Sequence, residues 1–218
     1  MTHRAVEQLI DAEHDAWVEC KSLLSEGSNE LTILDIPTTL GEQTLYNIQV
    51  TTRSYLGAIA YKTGGILVDY GWIKLLGSAH PKVYGDLTSW NGLSEAATLP
   101  VIEGIFMIAY DVSGGFFALN GGRLEEANTV FYFAPDCLEW EDTELSYSEF
   151  IQWLAEGDLG LFYETCRFDG WKEVVLGLEP EQVLSYYPPL WTKEGSGSTS
   201  DKRTISIAEA WRVVTEHS

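Results

Sequence analysis

Four histidines, three cysteines and 33 carboxylates are the residues with chemistry to offer. His3 and His217 lie near the chain ends, where order is poor. His14 stands in Asp11-Ala12-Glu13-His14-Asp15. At helical spacing Asp11 and His14 could reach one divalent cation. One turn supplies too few ligands, so no metal site is expected. His80 stands in Leu76-Gly77-Ser78-Ala79-His80-Pro81, after an apolar run. Gly77 and Ser78 could offer backbone N–H groups to an anion, with His80 as general acid or base. No base follows Lys82 until Arg123, so an anion would be poorly received there and a structural turn is the plainer reading. Gly77, Ser78 and His80 stay as a candidate ligand loop.

The motif search is otherwise negative. There is no phosphate-binding G-x-x-x-x-G-K-[ST], no G-x-G-x-x-G after a strand, no H-E-x-x-H and no G-x-S-x-G. No catalytic residue and no cofactor is expected. Carboxylates are so abundant that a glycosidase-like pair could be drawn almost anywhere, which empties that signal. Trp140 between Glu139 and Glu141 has the composition of a carbohydrate platform, but a core or lid tryptophan explains it more simply. Cys20, Cys137 and Cys166 form no C-x-x-C pair and read as buried, reduced thiols.

Charge is the strongest compositional feature. Thirteen Lys and Arg face 33 Asp and Glu, a formal charge of −20. From Val83 to Cys166 fifteen acids face a single base, Arg123. Such a surface repels phosphate, which argues against nucleic-acid binding. It favours encounter with a basic protein. No apolar run approaches the ~20 residues that cross a bilayer, and no secretory signal opens the chain, so a cytoplasmic protein without a membrane role is expected.

The elements that must position these residues read as follows. Residues 4–24 carry apolar groups at helical spacing. Leu31–Ile36 reads as a strand stopped by Pro37, and Leu45–Thr52 as another. Ser54 caps a short helix over Leu56, Ile59 and Ala60. Ile66–Asp69 and Trp72–Leu76 are apolar runs. Ile105–Val112, Phe116–Leu119 and Thr129–Ala134, joined by Gly-rich turns, predict an antiparallel meander over 101–134. Ser146-Tyr147-Ser148-Glu149 and Ser206-Ile207-Ala208-Glu209 are capping boxes that open helices. Leu159–Cys166 and Trp171–Leu178 suggest short helices, and the Gly- and Ser-rich segment 193–203 a mobile loop. Grouped strands flanked by helices predict a single α+β domain over 1–218, with a central antiparallel sheet and helices in the N- and C-terminal parts.

Several long strings carry a resemblance. Residues 49–69, Gly71–Ser78, Ser113–Gly122 and Tyr132–Asp136 resemble a bacterial family catalogued as a domain of unknown function, number 2625. The order of the Gly-Gly-Phe-Phe-Ala-Leu-Asn hairpin, Val130–Ala134 and Ser146–Leu154 is similar to the Smi1/Knr4-like (SUKH) superfamily. That likeness implies an α+β fold and a partner-binding role, many bacterial members being immunity proteins that neutralise toxins. With the charge, it leads to the expectation of a non-enzymatic protein that binds a basic, toxin-like partner. Glu139, Trp140, Glu141, Asp142 and Glu144 are the candidate contacts. The rival expectations are a small-molecule binder or enzyme using the Gly77–His80 loop, and a regulatory scaffold or homo-oligomer.

Overall fold

The computed structural model describes residues 3–97, 99–124 and 128–217. Seven strands form one antiparallel sheet: β1 (Leu31–Asp35), β2 (Thr63–Val68), β3 (Ile73–Leu76), β4 (Ile105–Asp111), β5 (Phe116–Asn120), β6 (Val130–Ala134) and β7 (Glu139–Asp142). They lie in chain order, so the meander predicted over 101–134 extends on both sides. A second antiparallel pair joins β8 (Gln182–Tyr187) to β9 (Asp201–Ser206). The helices are α1 (Trp17–Glu26), α2 (Thr38–Ile48), α3 (Tyr55–Lys62), α4 (Leu87–Trp90), α5 (Tyr147–Glu156), α6 (Leu159–Phe162), α7 (Trp171–Leu176) and α8 (Ile207–His217). The fold is α+β. Among the described residues no helix is long and apolar enough to cross a membrane.

Strand pleating divides the core between the two faces of the sheet. Phe117 and Tyr132 meet Cys20 and Leu24 of α1, Ile59 of α3, and Phe150, Ile151 and Leu154 of α5. Phe116, Ala118 and Phe133 meet Leu45 of α2, Trp90 of α4, and Trp211 and Val214 of α8. Covered on both faces, the central strands carry apolar runs rather than alternation. That is why β4, β5 and β6 were legible as strands.

Three local expectations are corrected, and one strand was not foreseen. The helix over 4–24 is interrupted. Val6–Gln8 is one 3-10 turn, and α1 starts only at Trp17. Asp11 Oδ1 accepts from the Glu13 and His14 amides at 3.0 Å each, and Asp15 Oδ1 accepts from the Trp17 amide at 2.9 Å. Short acidic side chains compete with helical hydrogen bonds in this way. Thr52 takes up the freed backbone, donating to the Leu9 carbonyl and accepting from the Ala16 amide.

The strand expected at Leu45–Thr52 is instead the end of α2, which Gln49 closes in the left-handed region at φ 57°. Gly41, Thr44 and Leu45 are the buried residues of that helix, a spacing of three to four. Gly41 allows it to lie directly on the Tyr61 carbonyl of α3. The segment 193–203 is not simply a loop, because Asp201–Arg203 pair with Ser185–Tyr187 in the β8–β9 ladder. Upstream of it, Ser200 is buried and donates to the Pro188 carbonyl at 2.7 Å. Strand β7 was not anticipated at all, because its four residues are charged or aromatic and short of any apolar pattern.

The cysteines also divide. Cys20 and Cys166 are buried, but Cys137 is exposed. Its Sγ donates to Glu141 Oε1 at 3.4 Å, and partial desolvation with the nearby carboxylates pushes the thiol up to about 11. Native protein should therefore expose a single maleimide-reactive thiol, Cys137, with about a hundredfold less thiolate than an ordinary cysteine at equal pH. Peptide mapping after brief labelling checks this. Modification of Cys20 or Cys166 ahead of Cys137 would contradict the packing.

Candidate functional site

Strand β7 ends the sheet, paired only with β6. Its register sets Glu141 beside Tyr132 and Trp140 beside Phe133. Neighbours along a strand point to opposite faces. The register therefore separates residues that the sequence groups together. Trp140 turns to the Phe133 side, with ring centroids 5.5 Å apart. Glu141 lies on the Tyr132 side.

On that side is a cavity of about 330 Å³. Five rings line it: Phe117 of β5, Tyr132 of β6, Phe150 and Trp153 of α5, and Phe162 of α6. Glu141 and Asp142 are in its lining, with Thr143 and Leu145, and no Lys, Arg or His is. Phe117 stacks on Tyr132 at 4.5 Å, Tyr132 lies 5.2 Å from Phe162, and Phe162 meets Trp153 edge-on at 4.9 Å. Phe117 and Phe150 are fully buried, while Phe162 is 38% exposed and Trp153 half-buried, so the rings form a floor and an open wall. The Ser146–Glu149 capping box sets the start of α5. The Ser146 hydroxyl and amide donate to Glu149 Oε2 at 2.6 and 2.8 Å, and these hydrogen bonds, the hydroxyl's first, hold the Glu149 carboxyl below its ordinary value. Phe150 and Trp153 then follow at the three-residue spacing that puts both on one helix face.

Behind the cavity, Asp111 anchors the Tyr132 ring. Asp111 is 0% exposed. Its Oδ2 accepts from the Tyr132 hydroxyl at 2.8 Å and the Tyr163 hydroxyl at 3.1 Å. Its Oδ1 accepts from the Ser113 amide, the Ser113 hydroxyl and the Gly115 amide at 2.6–3.0 Å. Burial raises the Asp111 carboxyl above its ordinary range, and these donors oppose the rise. Gly115 is obligatory here, because a Cβ would collide with the Tyr132 hydroxyl and the Asp111 carboxylate.

Of the anticipated contacts, Glu141 and Asp142 reach the cavity. Glu139 and Glu144 are exposed on either side of them, and Trp140 faces away. Asp111, counted among the acids of this stretch, is removed from the surface altogether. The five rings were missed as a group. Apolar patterning places each in the core, and nothing in it marks Phe162 as exposed.

The Gly77–His80 loop is a tight structural corner. Ser78 is fully buried, and its hydroxyl donates to the Ala60 carbonyl and meets the Thr44 hydroxyl, each at 2.7 Å. Its amide donates to Thr63, and the Gly77 carbonyl accepts from Leu87. His80 Nδ1 accepts from the Lys82 amide at 3.2 Å. Among the described residues no group of three or more His, Cys, Asp or Glu is arranged to hold a metal.

The profile described as "Protein of unknown function DUF2625" matches residues 6–210. The chain belongs to this family. This DUF2625 protein is similar to YbfG, an uncharacterised protein of Escherichia coli strain K12, with 40% identity over 211 residues, 96% of this chain and 95% of YbfG. It is also similar to an uncharacterised protein of Haemophilus influenzae, with 34% identity over 191 residues, 86% of this chain and 82% of that one. No solved structure matches the DUF2625 protein.

Proposed function

We propose that this protein acts by binding, and that the ring-lined cavity beside β7 receives a cationic side chain of a basic protein partner. One observation carries the reading: five aromatic and two acidic residues line the same cavity, and no basic residue lines it. Ring faces carry negative charge density and attract ammonium or guanidinium groups, more strongly when desolvated. Glu141 and Asp142, in the lining, add Coulomb attraction. Glu139 and Glu144, with the overall charge of −20, would steer a basic protein toward that edge. A nucleic-acid-cleaving toxin has the required positive surface, so the likeness to SUKH immunity proteins supports this partner class.

Calorimetric titration with a Lys- and Arg-rich peptide, against its Gln-substituted analogue, tests the site. The cationic peptide should bind and its neutral analogue should not. Glu141→Gln with Asp142→Asn should weaken binding by about tenfold or more, the size expected when charge-assisted contacts are lost. Equal binding of both peptides, or an unchanged affinity in the double variant, would refute it.

A further inference from the structure

Away from β7, one cavity brings two basic residues together. Arg167, Phe168, Asp169, Trp171, Ser198 and Lys202 line a space of about 500 Å³. Two of its six residues are basic, in a chain where acids outnumber bases 33 to 13. The segment leading into α7 supplies one wall. The Gly- and Ser-rich approach to β9 supplies the other.

Arg167 is held by rings. Its guanidinium lies 4.3 Å from the Trp171 centroid, 5.0 Å from Trp72 and 5.3 Å from Tyr163. Nη2 donates to Asp69. Nε is buried and has no acceptor among the described residues. A buried donor left unpaired costs about 1–3 kcal/mol and calls for an explanation. Lys202 repeats the pattern. Its Nζ sits 4.5 Å from the Phe168 centroid and 5.9 Å from Tyr186. It takes part in none of the ion pairs among the described residues. Burial draws its pKa down, with the Asp201 charge opposing. Ser198 lines the same cavity, and its hydroxyl lies 3.1 Å from that of Ser196.

An oxyanion would supply the acceptor that Lys202 lacks and a further one to Arg167 beside Asp69. We propose that this cavity binds a small ligand through a phosphate or carboxylate group, with Arg167, Lys202 and Ser198 as its donors. Asp69 already balances one edge of Arg167, so Lys202 provides the uncompensated charge. Asp169 in the lining disfavours polyanions, and it can accept from hydroxyl or amino groups on the rest of the ligand. The site is independent of the cation-receiving pocket beside β7, and neither stands or falls with the other.

The test is a ¹H–¹⁵N NMR titration at constant ionic strength, with phenyl phosphate and benzoate as separate probes. The Arg167 Nε–Hε and Ser198 amide resonances should shift and saturate with at least one probe, and the one that saturates identifies the oxyanion. Lys202→Met should weaken that binding by about tenfold, as for loss of one charge-assisted hydrogen bond. Immobile resonances up to tens of millimolar probe would overturn the proposal. So would the same titration curve in Lys202→Met, since it would mark a general anion effect.

Discussion

Asp111→Ala is expected to lower the unfolding free energy by about 3–5 kcal/mol, the range for breaking a fully buried polar network. The carboxylate accepts from two tyrosine hydroxyls, one serine hydroxyl and two amides, all of them away from water. Alanine leaves those donors without acceptors, and each unsatisfied buried group carries its own desolvation cost. Asp111→Asn should cost less, because the amide oxygen still serves one side of the network. Its NH₂ group, however, would face donors on the other. Urea unfolding of both variants measures the difference. The alanine variant should also bind the cationic peptide more weakly, because Tyr132 loses the partner that holds its ring against Phe117. A loss of stability under 1 kcal/mol would show that the network relaxes around the gap and does not brace the cavity wall.

Lys74→Met is expected to act in the opposite direction, stabilising the protein at neutral pH by about 2–3 kcal/mol. Lys74 is 6% exposed in the middle of the sheet, paired with Leu67 on one side and Tyr110 on the other. Its ammonium lies 5.5 Å from the Tyr110 ring centroid and forms none of the ion pairs among the described residues. Burial draws its pKa down to about 8 from 10.5, with Glu181 offsetting part of the effect. The folded state therefore disfavours the charged amine. That penalty is fully present below about 8 and is relieved as pH rises from there toward 10.5. Methionine keeps most of the volume and removes the charge. Urea midpoints of the two proteins should differ most at neutral pH and converge as pH approaches 10.5. A less stable Lys74→Met at neutral pH would mean that the ammonium has a compensating contact which methionine abolishes.

These two residues show where sequence reading stops. Lys74 and Asp111 are charged letters inside apolar strings, and composition counts both as surface. The protein buries both completely enough to change their chemistry. One is surrounded by donors and becomes a structural anchor. The other has the Tyr110 ring and only a partial offset from Glu181, and remains a liability.

Much of the fold was nevertheless legible. Ser54, Ser146 and Ser206 announced helices that exist, since a side-chain cap acts within four residues. The Gly-rich turns and apolar runs around 101–134 announced β4, β5 and β6 for the same reason. The break at Asp11–Asp15 was not read, although the competing Asp11 and Asp15 side-chain bonds are local, because Thr52, some forty residues away, takes up the freed backbone on either side.

By itself, the sequence determined the family, the α+β class, the central meander and the excess of negative charge. All of these follow from local chemistry or from simple addition along the chain. Only the tertiary structure decided which acids meet which rings. The β6–β7 register sends Glu141 to the Tyr132 face and Trp140 to the other, and a shift of one residue would exchange them. Convergence of α5 and α6 on β5 then brings Phe150, Trp153 and Phe162 to Phe117. Side-chain exposure depends on which layer covers which face, and that is settled by contacts between residues far apart in the chain.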